Sequence, residues 1–309
     1  MGQQSRNTAK REAVDAVQDA VLRPNTGYFE NDELRAIHAR ATDYARAGVA
    51  VHFTGAAGVG KTSLALQVAQ ALGNPIALMA GNEWLTAHDF LGREVGTTSS
   101  TVVDRYVQSI RRTEKTTVND WRDSLLAQAM EEGQTLIYDE FTRASPEANA
   151  TLLPVLEEGI LMFTDRTSKR AYLRAHADFR IILTSNPHDY LGVNSAPDAL
   201  MDRMLTIPIN EPSLETMTGI VAQRTRLSRD ACARIVATVA RFIGAEQHGK
   251  TSVLRSAILI ARVAGAREAA GRLTDFSLRD IATDVLVGRG VLTTPREVAA
   301  ALNEKKKAA

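Results

Sequence analysis

A single cysteine, Cys232, stands in 309 residues. That excludes an internal disulfide and any cysteine-rich metal cluster, and a cytoplasmic address is the expectation that follows. Aromatic residues are scarce at 5%, and charge of neither sign dominates: 37 Lys and Arg face 36 Asp and Glu, a formal net charge of +1. Such a balance offers no footing for a nucleic-acid partner. No apolar run approaches the ~18–20 residues that a membrane span needs. The polar start of the chain lacks the apolar core of a secretory signal, so no membrane partner is expected. Internal repeats are absent as well. What remains is a composition of globular type, 44% hydrophobic and 24% charged, with enough length for one sizeable core and a smaller appended domain.

The stretch Val49-Ala50-Val51-His52-Phe53-Thr54 reads as an apolar strand, followed by a glycine-spaced loop and a helix from Lys61 or Thr62. Gly55-Ala56-Ala57-Gly58-Val59-Gly60-Lys61-Thr62 matches the P-loop pattern GxxxxGK[ST] in full, with Ser63 next in the helix. Glycines there let successive N–H groups turn inward around a phosphate. The helix start offers further N–H groups and a positive dipole end to the same anion. Lys61 supplies an ammonium for the β- and γ-phosphates, and the Thr62 hydroxyl suits Mg2+. A nucleoside triphosphate is the ligand this predicts.

Thr135-Leu136-Ile137-Tyr138-Asp139-Glu140 is an apolar run ending in two acids. As a buried strand it delivers both carboxylates to the sheet edge where ligands bind in open α/β folds. Asp139 is placed to hold Mg2+ directly or through water, and Glu140 to orient and deprotonate the attacking water. Arg180 to Ser185 is another apolar strand, after which Asn186 either bonds the γ-phosphate or lytic water, or shapes the turn before Pro187.

The intervening chain carries further expectations. Helices are predicted over Arg11–Pro24, Asp32–Arg46, Trp121–Met130 and Ser145–Glu158, and Ile76–Met79 as a buried strand. Gly96–Thr117, polar and basic, reads as a solvated loop or hairpin, or as an inserted element presented to a partner. Ile160–Leu173 reads as a hairpin, and Pro208 marks the last strand as an edge or an early end. Tyr28 and Phe29 either line an adenine pocket or pack the connector on the core. From Glu211 the pattern is purely helical, and Lys305-Lys306-Lys307 is a solubilising tail.

The order of these parts resembles the AAA+ ATPases, and the spacing resembles their MoxR-like branch. Four stretches, Val51–Gly55, Tyr138–Arg143, Thr184–Pro187 and Leu254–Ala261, are similar to the members that serve gas-vesicle assembly, relatives of the ATPases that activate rubisco and nitric-oxide reductase. The resemblance implies an α/β fold: a three-layer α/β/α core with a parallel sheet, then a smaller all-helical lid. It places an N-terminal helix and connector at 1–27, the nucleotide-binding domain at 28–211, the lid at 212–272 and a helical extension with a basic tail at 273–309. The cofactors implied are ATP and Mg2+, with Asn186 as the sensor of the γ-phosphate and Arg255 as the lid arginine on the phosphates. Arg262 lies two turns further on. Arg203 is implied as the finger to a neighbouring subunit's nucleotide, in a homo-oligomeric, hexameric ring. The bland alternative for Arg203 is an ion pair with Asp202 or Asp198; Arg143 is a second residue for the neighbour. Met204 departs from the phenylalanine that many relatives carry after the finger. The insert lacks an aromatic-glycine pore loop, so substrate threading is not implied. The client implied is a gas-vesicle shell or accessory protein. A metabolic enzyme as client, or an ATP-gated scaffold with little hydrolysis, remains an alternative.

Overall fold

The computed structural model describes residues 29, 31–103, 113–163, 170–186, 198–225, 227–243, 252–291 and 293–303. The expected helix over Arg11–Pro24, Tyr28, Arg105, Arg111, Arg112, Pro187 and the lysine tail lie outside the described residues. By contacts the chain divides into two units. One runs from His38 to Gly55 and from Leu64 to Ile209; the other holds the described residues up to Ile37, Ala56–Ser63 and those from Asn210 on.

The first unit is built on five strands: β1 (Ala50–Thr54), β2 (Ile76–Ala80), β5 (Thr135–Asp139), β8 (Arg180–Ser185) and β9 (Met204–Pro208). They pair in parallel in the order β2-β5-β8-β1-β9. Continuous apolar runs suit strands covered on both faces, and Val51, Phe53, Leu136, Ile137, Ile182 and Leu183 are fully buried. The strand over Ile76 to Met79, expected to be buried, is instead an edge strand of alternating exposure, with Leu78 38% exposed. An edge position leaves one side of the ladder without a neighbour. Pro208 closes β9 on the opposite edge, where its missing N–H costs no ladder bond.

The helices of this unit begin with α1 (Asp32–Arg46) and α2 (Lys61–Leu72), whose first residues, up to Ile37 and Ser63 respectively, belong to the other unit. After α3 (Ala87–Leu91), the expected insert is an antiparallel ribbon of β3 (Gly92–Val103) and β4 (Thr113–Asp123). Trp121 was expected to open a helix. It lies in β4 opposite Glu94, and the helix, α4 (Leu125–Glu132), starts after Ser124, whose hydroxyl caps it by accepting from the Ala127 N–H at 2.9 Å. The Trp121 ring packs edge-on against Phe163 at 6.3 Å. The helix expected over Ser145–Glu158 is broken into α5 (Pro146–Ala150) and α6 (Leu153–Glu158). Pro154 explains the break: it has no N–H to give the Ala150 carbonyl, and its ring crowds that turn. A second hairpin follows, β6 (Ile160–Met162) with β7 (Tyr172–Arg174), then β8, the short α7 (Asp198–Met201) and β9.

The second unit is helical: α8 (Leu214–Arg224), α9 (Arg229–Phe242), α10 (Val253–Ala269), α11 (Asp275–Val287) and α12 (Pro295–Asn303). Ser213, Ser228, Ser252 and Thr274 cap the first four, each accepting a backbone N–H. One core runs through all five, from Val221, Ile235 and Val239 to Ile260, Leu286, Val298 and Leu302. The division drawn at 272 from the sequence therefore falls between helices that share this core. Phe29 lies on α8 where Gly219 leaves room; a Cβ there would stand 2.2 Å from the ring. Asn31 fastens the same segment by donating to the Thr216 hydroxyl at 2.7 Å.

Candidate active site

In the helical unit, the loop Ala56–Ser63 leads into α2, with Gly58 at φ +82° and Gly60 at φ +103°. A side chain at Gly58 would be strained and also blocked, since a Cβ would meet Ser252 Oγ at 2.6 Å and Arg255 Nε at 3.4 Å. Ser252 joins two parts of the site. Its hydroxyl donates to the Gly58 carbonyl at 3.3 Å and accepts from the Arg255 N–H at 3.2 Å as the cap of α10. Arg255 is thereby brought beside the loop, with an exposed side chain, while Arg262 is exposed further along the helix. Lys61 is buried, and its Nζ donates to the Ala56 carbonyl at 2.8 Å. Val59 is buried, and Ala56, Ala57, Thr62 and Ser63 are half-buried.

In the sheet unit, β1 ends at Thr54 and Gly55, and the Ile209 N–H donates to the Thr54 carbonyl at 2.7 Å. Asp139 closes β5. Glu140 follows in the left-handed region at φ +52°, the one non-glycine with positive φ among the described residues. A non-glycine residue there costs roughly 1–3 kcal/mol and needs neighbours that hold it. Three are visible. The Thr184 hydroxyl on β8 accepts from the Glu140 N–H at 2.9 Å and donates to Asp139 Oδ1 at 2.5 Å. Gly81, just past β2, lies so close that a Cβ would stand 2.2 Å from the Glu140 carbonyl oxygen. The Arg143 guanidinium pairs with the Glu140 carboxylate at 3.0 Å, an exposed contact worth at most about 1 kcal/mol. Below the turn, the buried Tyr138 hydroxyl donates to Asn149 Oδ1 at 3.0 Å, and Asn149 Nδ2 donates to the Phe141 carbonyl at 3.0 Å. Burial pushes the Tyr138 phenol up, so it stays a neutral donor.

Asn186 follows β8 directly, half-buried, one strand from the acids. Arg203 stands just before β9, and its acidic partner is Glu157 rather than Asp202 or Asp198. Its Nε and NH2 donate to Glu157 Oε2 at 2.9 and 2.7 Å, and its NH1 to the Ala199 carbonyl at 2.6 Å. Sequence reasoning missed that partner, 46 positions away, along with Thr184 and Ser252. It also passed over His52, fully buried in β1, whose Nδ1 lies 3.0 Å from Thr206 Oγ1 and Nε2 2.8 Å from Ser185 Oγ. A histidine inside an apolar strand was the available signal, since a buried imidazole requires partners.

The chemistry of the loop fits the phosphates of a nucleotide. The loop has helix N–H groups and an ammonium for phosphates. Thr62 in the one unit and Asp139 in the other are each a hard oxygen donor of the kind Mg2+ takes.

Comparison with known proteins adds an independent finding. Residues 50–204 match the model of the AAA domain, dynein-related subfamily. The chain is 34% identical over 93% of its length to "Gas vesicle ATPase GvpN" of Ancylobacter aquaticus, covering 80% of that protein. It is 31% identical over 90% of its length to "Gas vesicle ATPase GvpN1" of Halobacterium salinarum, covering 79% of it. A fainter similarity, 22% over 67% of the chain, links it to "Protein CbbQ" of Hydrogenophilus thermoluteolus, of which 70% is covered.

Proposed function

Because the chain belongs to the gas vesicle ATPase GvpN family of AAA-domain proteins, and is thus an ATP-hydrolysing enzyme, we propose that it is a Mg2+-dependent, ring-forming ATPase that remodels a gas-vesicle shell or accessory protein during assembly. The observation that carries the chemistry is the pair Asp139 and Glu140, fixed at the carboxyl end of a parallel sheet in a chain with a complete P-loop.

In this reading Lys61 exchanges the Ala56 carbonyl for the β- and γ-phosphates, and the loop N–H groups hold the same oxygens. Thr62 and Asp139 would hold Mg2+, which when bound neutralises charge on the phosphates. Glu140 takes the proton of the attacking water as the water oxygen bonds to the γ-phosphorus and the bond to ADP breaks. Arg143 steadies the Glu140 carboxylate; Asn186 and Arg255 bind the γ-phosphate. Arg203, released from Glu157, serves the nucleotide of a neighbouring copy in a hexamer, where such a guanidinium is worth about 10³–10⁵ in rate.

The test is Glu140→Gln. ATP binding is expected to persist while phosphate release stops; turnover at the wild-type rate refutes the assignment. Light scattering with and without ATP checks the ring, and complementation of a deletion in a gas-vesicle-forming host checks the client.

A further inference from the structure

We infer that Thr184 is a positioning residue for hydrolysis, holding both acids in their working arrangement through one hydroxyl. This rests on the roles proposed above for Asp139 and Glu140. The parallel register of β5 and β8 sets Tyr138 beside Leu183, so the next pair brings Asp139 beside Thr184. The hydroxyl hydrogen goes to Asp139 Oδ1 and the oxygen receives the Glu140 N–H. Each acid is thus fixed by a different part of the same group: the metal-binding carboxylate by its side chain, the general base by its backbone. Thr184 is fully buried, so water cannot take over either bond. Its β-branch restricts χ1, which keeps the hydroxyl aimed at the two acids.

The backbone at Glu140 shows why such a fixing point is needed. At φ +52° the residue is held away from the conformations it prefers; Gly81 on the far side leaves room for its carbonyl and donates its N–H to the Asp139 carbonyl at 2.7 Å. Thr184 supplies the bond to the N–H of Glu140 itself. Valine at 184 would keep the volume, orphan the Glu140 N–H and release one oxygen of Asp139 from its donor. Serine would keep both bonds.

The test uses the full-length chain with Thr184→Val, Thr184→Ser and Glu140→Gln side by side. Loss of an outer partner of a metal-binding group costs about 10–100-fold, so Thr184→Val is expected to lower kcat by that factor, with KM for ATP in the presence of Mg2+ rising by up to about tenfold. A second readout is binding of a fluorescent ATP analogue (mant-ATP): affinity without Mg2+ is expected to stay as in the wild type, while the gain on adding Mg2+ shrinks about tenfold. Thr184→Ser is expected to restore both. Wild-type kcat in Thr184→Val, or a serine variant as impaired as the valine one, overturns the inference. If Glu140→Gln turns over at the wild-type rate, the reading of the acid pair falls instead, which is a separate result. Should Thr184→Val fail to give a folded circular-dichroism spectrum, Thr184→Ala carries the same expectations.

Discussion

The acid pair and the phosphate loop reach their positions by different means. Asp139 and Glu140 sit at a strand end and are fixed by side chains and backbone from β8 and β2, 44 and more residues away in sequence or on another strand. The loop from Ala56 to Ser63 takes its shape from its own glycines and from the helix it opens, with the Ser252 hydroxyl tying it to the start of α10. A sheet edge delivers rigid groups whose partners are distant; a glycine loop delivers main-chain donors that need few partners. The arginines divide the same way. Arg203 is clasped by Glu157 with a side chain 31% exposed, whereas Arg255 extends, exposed, from the first turn of α10.

The sharpest way to break this comparison is at Lys61. Lys61→Ala removes the ammonium and nothing from the sheet, so turnover should fall by about 10²–10³-fold in a phosphate-release assay while the melting temperature holds. A variant with normal turnover would show that the loop does not grip the phosphates. Next in size is the sheet itself. Leu183 is fully buried beside Thr184, and Leu183→Ala should cost about 2–5 kcal/mol in urea denaturation, the cost of an apolar cavity.

Ser252→Ala is the matching change on the other side. It removes the cap of α10 and the bond to Gly58, and should cost about 1 kcal/mol by thermal melting, with a measurable weakening of ATP binding. The smallest effect concerns Glu297 in the capping box at the start of α12. It accepts from the Thr294 N–H at 2.8 Å, and that bond holds its pKa below the ordinary 4.5. A depressed carboxyl contributes stability above its unfolded pKa and loses it as the pH falls through the folded value. Melting of Glu297→Gln should therefore lie slightly below wild type at neutral pH, and the gap should close in acid.

The strand–loop–helix of the P-loop, the acid-ended strand, the hairpin over Ile160–Leu173 and the helical run after Glu211 were legible because each rests on local pattern: glycine spacing, apolar runs and turn residues. Two features were legible and misread. Pro154 marks a break in the helix from Ser145, and Ser124 marks a helix start that excludes Trp121. Thr294-Pro295-Arg296-Glu297 was a capping signal of the same kind, passed over in the sequence.

By itself the chain singled out the groups proposed to carry the chemistry, since a phosphate loop and an acid at a strand end are written in adjacent residues. Tertiary structure alone chose their partners: Thr184 for both acids, Glu157 for Arg203, Ser252 for the loop, and Ser185 with Thr206 for His52. The physical reason is that strand order and register, which no local pattern encodes, decide which distant side chains come within hydrogen-bonding reach.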